Sequence, residues 1–449
     1  MADLYSKASF ILTANAYSSS KLFSIKPTDG TGDLTFTRAS SGSRVNSSGL
    51  IEFVNNNIPR LTYSGSSCPQ FLFEPQRINY TLQSNNFTNG WTTTNLSITS
   101  SQENELTGLN DATRLNATAS NSSLFRFIST NISSGSRITN TIYFKNSVDN
   151  PTTTLTIQTS DGYNGSGAIN FTVNSASVPT FLSTGSSGDF IQTTTRQSYD
   201  VIPVGFNWYR IVTSFTLTTS STPAVQSQFT PLTGGVRIAN GRSCFVYGAQ
   251  LEVSRYPTSY IPTTTAAVTR IADASGGDAY NFVGSPNMSS SIGQSEGTIY
   301  YEFTPAQTMV GFGGRILTAL APNTSQNFGS VFMAVNDIDQ FQFLIYSASS
   351  AFIFNALITS FPSPVTASRS YKIALAYSSS NSKAYINGSQ VYSSAATWPL
   401  NGITGSQGPM NRIWLSNVNY VTPDNGNLFK TVAIYKTRLT DSELIALTS

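Results

Sequence analysis

The side chains that could carry chemistry are few, and their types narrow what it could be. Among 449 residues there is no histidine, and Asp, Glu, Lys and Arg together make up 10%. Without imidazole, the Ser-His-Asp and Cys-His triads, histidine metal ligands and the commonest general base are excluded. Carboxylates remain. Cleaving a glycosidic bond takes two of them roughly 5 to 9.5 Å apart, and residues 293–449 offer Glu296, Glu302, Asp337, Asp339, Asp424, Asp441 and Glu443. Asp337 and Asp339 form a close pair, yet Asn336-Asp337 beside Ile338 reads more simply as a turn between strands. No catalytic residues are expected. The same pair is a weak calcium candidate, because calcium takes six to eight oxygens and two carboxylates with Asn336 supply only part of a shell. No cofactor is expected.

Sugar binding asks for a different set, an aromatic face with amides beside it. Trp398, followed by Pro399 in a polar stretch, is the first candidate and Trp414 the second. Trp414 lies between Ile413 and Leu415 and so faces opposite to both; ordinary packing is its simpler reading.

The elements that must position these residues follow from composition. Ser, Thr, Asn and Gly replace the missing charge, while 39% hydrophobic and 12% aromatic content supplies enough apolar area to offset chain entropy. This combination predicts ordered β-structure with neutral polar outer faces. A formal charge of +3 without a Lys/Arg cluster leaves no footprint for nucleic acid. No window approaches the ~18 apolar residues of a membrane span, and the first ten residues have neither the apolar run nor the basic flank of a signal peptide. Cys68 and Cys244 lie near the two ends of the first β module. A disulfide between them and two buried thiols are both open, with the thiols favoured.

Residues 245–270 form the seam of the chain. Their first half reads as a closing strand; Pro257 and Pro262 then hold an extended connector. Before the seam, strands at 142–145, 154–159, 168–173, 208–217 and 236–238 are separated by polar clusters, as in a two-sheet sandwich. After a Gly- and Ser-rich linker, strands at 297–303, 331–335, 340–346 and 370–377 build another. Asn387-Gly388 predicts a type I′ hairpin, and Thr440 with Glu443 a capping box that starts a short helix at Asp441, with Leu444 and Leu447 packed inward. The first 30 residues carry apolar patches at 10–12 and 22–25 that cannot bury themselves. They read either as an arm lying on the first β module or as an anchor that docks on another protein or on sister subunits. The expected division is an arm and strand segment (1–66), a jelly-roll sandwich (67–262), a linker (263–292) and a second sandwich (293–449).

Three stretches, FTRASSGSRVNSSGLIEFV, NNNIPRLTY and FLFEPQRINYTLQSNNFTNGWTTTN, together resemble the N-terminal segment shared by many bacteriophage virion proteins. GAQLEVSRYPTSYIPT is similar to the close of the same module, and the sandwich between resembles carbohydrate-binding jelly rolls. Residues 295–449, with their Tyr-Lys-Ile hairpin, Ala-Tyr-Ile-Asn-Gly and closing Arg-Leu-Thr-Asp-Ser-Glu-Leu, are similar to concanavalin A-like domains of the laminin-G and pentraxin type. The resemblance implies an all-β virion appendage of head or tail fibre type. It would be made in the host cytoplasm, joined to other virion proteins through its N-terminal region, homo-oligomeric, most often trimeric, and exposed on the particle to touch host-surface glycans. A decoration that stabilises the shell and binds nothing outside it, and a glycan-cleaving enzyme, remain alternatives.

Overall fold

A computed structural model describes residues 2–19, 21–63, 67–119, 122–128, 132–133, 135–147, 153–160, 166–174, 177–187, 190–191, 199–217, 225–232, 242–273, 282–283, 288–306, 315–322, 329–336, 340–347, 352–359, 365–366, 369–395, 408–415 and 427–449. The fold is all-β, with two short α-helices among the described residues, Ala2–Lys7 and Asp441–Thr448. It divides into two compact units. The terminal unit takes Met1–Ser47, Val54–Pro75 and Ile271–Ser449, and the central unit Ser48–Phe53 and Gln76–Arg270.

In the terminal unit the larger sheet runs, neighbour by neighbour, Ser389–Ser394, Ser382–Ile386, Tyr371–Tyr377, Gly297–Pro305, Asn427–Tyr435, Gln70–Phe73 and Leu61–Thr62. The smaller runs Phe352–Leu357, Phe341–Tyr346, Ser330–Val335, Arg315–Ala321 and Arg412–Leu415. Alternate residues of both sheets enter one apolar core. Tyr301 and Phe303 come from the first, Val331, Met333, Phe343 and Ile345 from the second. Tyr371, Ile373, Leu375 and Tyr377 are all buried there, as their period-two spacing predicts. The hairpin at Asn387 and Gly388 has positive φ at both positions, 48° and 81°, the geometry a type I′ turn demands.

The other face of the larger sheet is apolar too, because Tyr300, Ala374, Ala376, Tyr385, Ala433 and Tyr435 alternate with the core residues. It is covered by Leu4 and Ala8 from the N-terminus and by Leu439 and Leu444 from the C-terminus. The closing helix starts at Asp441 with the expected box: Glu443 N–H donates to Thr440 Oγ1 at 3.4 Å and Thr440 N–H to Glu443 Oε2 at 2.8 Å. Lys7 of the N-terminal helix pairs with Glu443. This ion pair and the Thr440 N–H push the Glu443 carboxyl down to about 2.

The N-terminal segment lies on the second sandwich and not, as one expectation had it, on the first module. Strand Phe10–Thr13 pairs antiparallel with Asn427–Tyr435, Phe10 opposite Ile434 and Thr13 opposite Thr431. Gln70–Phe73 pairs with the start of the same strand, Phe71 opposite Phe429. The two short strands therefore share one edge of Asn427–Tyr435 end to end. Phe10 and Leu12 are fully buried in the core, so the patch at 10–12 is satisfied within the chain; of the patch at 22–25, Leu22 is buried while Phe23 and Ile25 remain exposed. Residues 263–292 also depart from the linker reading. Val268–Arg270 pairs with Arg77–Asn79 in the central unit. Phe282–Val283 pairs with Leu34–Phe36 in the terminal unit, where Met288 and Ile292 join the core.

A buried charge cluster fastens the front of the terminal unit. Arg38 Nη1 donates to Asp273 Oδ1 at 2.9 Å, Arg60 Nε to the same oxygen at 3.0 Å, and Arg60 Nη1 to Glu74 Oε2 at 2.6 Å. Arg60 Nη2 pairs with Asp273 Oδ2, which also accepts the Glu74 N–H at 2.9 Å. Two cations face two anions and both Asp273 oxygens accept two partners each, the kind of pairing under which burying charge is tolerable. Burial works against the charge of Arg60, but Asp273 and Glu74 outweigh it and raise its pKa.

The central unit is a sandwich of two antiparallel sheets. One runs Thr92–Thr94, Ser123–Ile128, Val225–Leu232, Thr153–Ser160, Ser166–Asn174 and Ser177–Ser187. The other runs Leu96–Asn104, Leu109–Ala117, Ser243–Val253, Arg137–Asn146, Trp208–Leu217 and Phe190–Ile191, with Tyr199–Gly205 also on Trp208–Leu217. The expected strand at 236–238 lies outside the described residues. Leu115, Ile142, Phe144, Ile211, Phe215, Val246 and Leu251 of the second sheet meet Leu124 and Phe171 of the first.

The seam is a cover as well as a connector. After Val253 the chain folds back over its own strand, burying Tyr256, Tyr260 and Ile261. Three strand-borne polar groups hold it down. Glu252 accepts the Thr258 N–H at 2.8 Å and its hydroxyl at 2.5 Å, and Gln250 Oε1 accepts the Ile261 N–H at 2.7 Å. Asn79 Nδ2 donates to the carbonyls of Ala249 and Ile261 at 3.2 and 2.8 Å.

Candidate functional site

The alternation of Trp208–Leu217 decides which face of the second central sheet is free to act. Tyr209, Ile211 and Phe215 point to the core, and Trp208 and Arg210 therefore point to the opposite side. On that side the strand registers bring four residues into one row. Arg114 stands opposite Phe245, Phe245 opposite Lys145, and Trp208 follows Lys145 on the next strand, as set by Phe144 opposite Tyr209. One row further on, Tyr143, Tyr247 and Tyr260 pack edge to face, with centroids 5.3–6.3 Å apart, together with Leu106 and Ala112. That aromatic bed is buried, and burial raises the Tyr247 and Tyr260 hydroxyl pKa values.

The row above the bed is half-buried and polar. Trp208 is itself buried and its indole N–H donates to Glu105 Oε2 at 2.8 Å, while Lys145 pairs with Glu105 Oε1. Burial pulls the Glu105 carboxyl up, but the hydrogen bonds from Lys145 and Trp208 outweigh it and leave its pKa lowered. The Arg114 guanidinium lies 5.9 Å from the Phe245 ring centre, and Arg114 Nη2 donates to Ser243 Oγ at 3.0 Å. Each cation is thus held by an aromatic or acidic neighbour and still reaches water.

The hairpin beside Trp208 adds a fifth group. Gly205, Phe206 and Asn207 have φ of 93°, 54° and 61°, and Phe206 is 53% exposed. A left-handed conformation costs a bulky residue ~1–2 kcal/mol, and an exposed ring returns no burial energy to offset it. Strain kept at an exposed aromatic is a mark of function.

The residues expected from sequence fall elsewhere. Trp398, Asp337 and Asp339 lie outside the described residues. Trp414 is 6% exposed. It stands opposite Ala319 on the outward side of the smaller terminal sheet, in a cluster with Ala321, Phe332, Ala334, Leu344 and Tyr346. This is the packing role, with the ring filling space above three alanines. At the exposed margin of the same face Gln342 Nε2 donates to Asn355 Oδ1 at 2.9 Å, a neutral amide pair of the kind that contacts sugar hydroxyls. Cys68 is exposed and Cys244 buried, with no disulfide between them. Burial pushes the Cys244 thiol up to about 12. Among the described residues no group of three or more His, Cys, Asp or Glu could hold a metal ion.

Sequence reading missed Arg114, Lys145, Glu105 and Phe245. The alternation in residues 208–215 is the available signal, and by itself it does not say which side is the core. Phe206 carried no signal, because its backbone conformation is imposed by the hairpin.

No family model matches the chain, and no curated protein matches it. Among solved structures it is similar to the CBM40 of the Ruminococcus gnavus IT-sialidase bound to alpha2,3 sialyllactose, at 20% identity over 37% of this chain and 88% of that one, with a TM-score of 0.29. It is also similar to the botulinum neurotoxin serotype D/C VPI 5993 binding domain, at 13% identity over 34% of this chain and 36% of that one, TM-score 0.28. The binding domain of Paraclostridial Mosquitocidal Protein 1 shows 14% identity over 34% and 37%, TM-score 0.25. The weak structural neighbours of this chain are thus carbohydrate-binding modules and toxin receptor-binding domains.

Proposed function

We propose that the chain is a structural component of a bacteriophage particle, a head or tail appendage, whose β-surfaces adhere to host-surface glycans. The adhesive reading is carried by the row of Arg114, Phe245, Lys145 and Trp208, with the strained, exposed Phe206 at its end. It combines oriented hydrogen-bond donors with aromatic surface on a rigid sheet. The particle reading rests on the motif residues of the resemblance. Arg38, Arg60, Glu74, Asn79, Gln250 and Glu252 all serve internal clasps, the equipment of a protein that must endure.

Attachment falls to a surface other than the buried N-terminal strand. A homotrimer would multiply a weak site through avidity. The protein acts by holding, without turnover; the buried carboxylates Glu74 and Asp273 are both neutralised by Arg60 and have no room between them for a substrate. A decoration that binds nothing outside the particle is the second reading, favoured by the same inward use of the motif residues.

A glycan array probed with the whole protein separates the two. Saturable binding that weakens in a Phe206→Asn variant supports adhesion, and blank arrays at high valency leave decoration. Gold-labelled antibody should mark the surface of phage particles, and its absence from every particle would remove the virion assignment.

A further inference from the structure

The row on the central sheet is more selective than a general sugar platform. Arg114 and Lys145 sit on strands separated by one intervening strand, which places their backbones ~10 Å apart, with Phe245 between them. In a chain where charged residues are scarce, two cations bracket one ring. Both are fixed in place. The Arg114 guanidinium lies 5.9 Å from the Phe245 ring centre, donates through Nη2 to Ser243 Oγ and stays partly exposed, and Glu105 takes one of the three donors of Lys145. The neighbouring carboxylates are already engaged, Glu105 by Lys145 and Trp208, and Asp111 by Asn104 Nδ2 at 2.8 Å and Thr107 Oγ1 at 2.7 Å. The site therefore presents spare donors to an anion and few spare acceptors.

We propose that this row takes an acidic saccharide, a sugar ring bearing a carboxylate, with Arg114 and Lys145 as the groups that recognise the charge. The ~10 Å between the two backbones leaves room for one pyranose ring with its substituents. A guanidinium suits a carboxylate, and Phe206, exposed in the turn that joins Gly205 to Trp208, adds an aromatic ring next to the row. Phe245 and Glu105 are positioning residues that set the direction of the two cations.

This inference rests on the adhesive reading above, and its test keeps the two apart. Isothermal titration of the whole protein would compare oligogalacturonate with its methyl ester at the same chain length, so that the carboxylate charge is the main difference. The free acid should bind about tenfold tighter than the ester, and the advantage should shrink as salt rises. Arg114→Gln and Lys145→Gln should each remove most of the advantage, bringing the affinities for acid and ester together; Arg114→Lys should keep part of it. If the glutamine variants fail to fold by circular dichroism, Arg114→Lys and the salt series on the unaltered protein carry the decision. Equal affinity for acid and ester, or binding of neutral array glycans without any response to either probe, overturns the acidic-sugar proposal and leaves adhesion standing. A blank array together with no response to either probe overturns both.

Discussion

At the scale of single residues, the protein spends conformational strain and buried charge in different places and for different ends. Phe206 carries strain on an exposed tip. Replacing it with Asn, which tolerates positive φ, should hold stability or raise it by about 0.5–1 kcal/mol while weakening glycan binding. Thermal melts and the array read the two effects separately. Buried charge sits instead at Arg38, Arg60, Glu74 and Asp273. Asp273→Asn leaves two guanidinium groups facing one carboxylate, and breaking a buried pair in this way costs about 3–5 kcal/mol, to be seen as a lowered denaturant midpoint of the terminal unit. The residue types in this cluster were visible in the sequence. Their meeting was not, because Arg38 and Asp273 are 235 positions apart and no local pattern encodes such a pairing.

At the scale of elements, local rules were legible and distant pairings were not. The capping box at Thr440, the hairpin at Asn387-Gly388 and the alternation of residues 371–377 each depend on neighbours within a few positions, and each stands as the sequence predicts. The strand Phe10–Thr13 depends on a partner at the other end of the chain. Removing residues 1–13 should uncover Ile434, Val432 and the face under Leu4 and Ala8. The expected result is rapid proteolysis of the terminal unit, with the central unit surviving as a resistant fragment. The junction of the two end helices adds a pH dependence. Folding lowers the Glu443 pKa from its ordinary 4.5 to about 2, so the unfolded chain takes up its proton first as the pH falls. The contribution of the Lys7 pair and the capping carboxylate is complete above about pH 4.5 and is lost as pH falls toward about 2. Glu443→Gln should flatten this part of the stability profile, measured by denaturation at a series of pH values between 6 and 2.

At the scale of the whole molecule, composition spoke most clearly. Scarce charge, absent histidine and plentiful Thr, Ser, Tyr and Phe predict sheets, and sheets are what both units contain. The candidate site was less legible. Tryptophan is the residue type that sequence singles out, yet Trp414 packs among small and aromatic residues on the outward face of its sheet, while the better-placed row is built from residues whose common side becomes apparent only through register across four strands. Among the described residues the carboxylates Glu74 and Asp273 are locked in a buried cluster of the terminal unit, while the central sheet presents oriented donors and rings, and the role proposed for the protein is to hold glycans without cutting them. One measurement bears on this most directly. The full-length protein is titrated into purified host-envelope polysaccharide, followed by calorimetry, and the same mixture is assayed for new reducing ends. Saturable heat with no new ends is the expected result; shortened chains, or no heat at any accessible concentration, would contradict it.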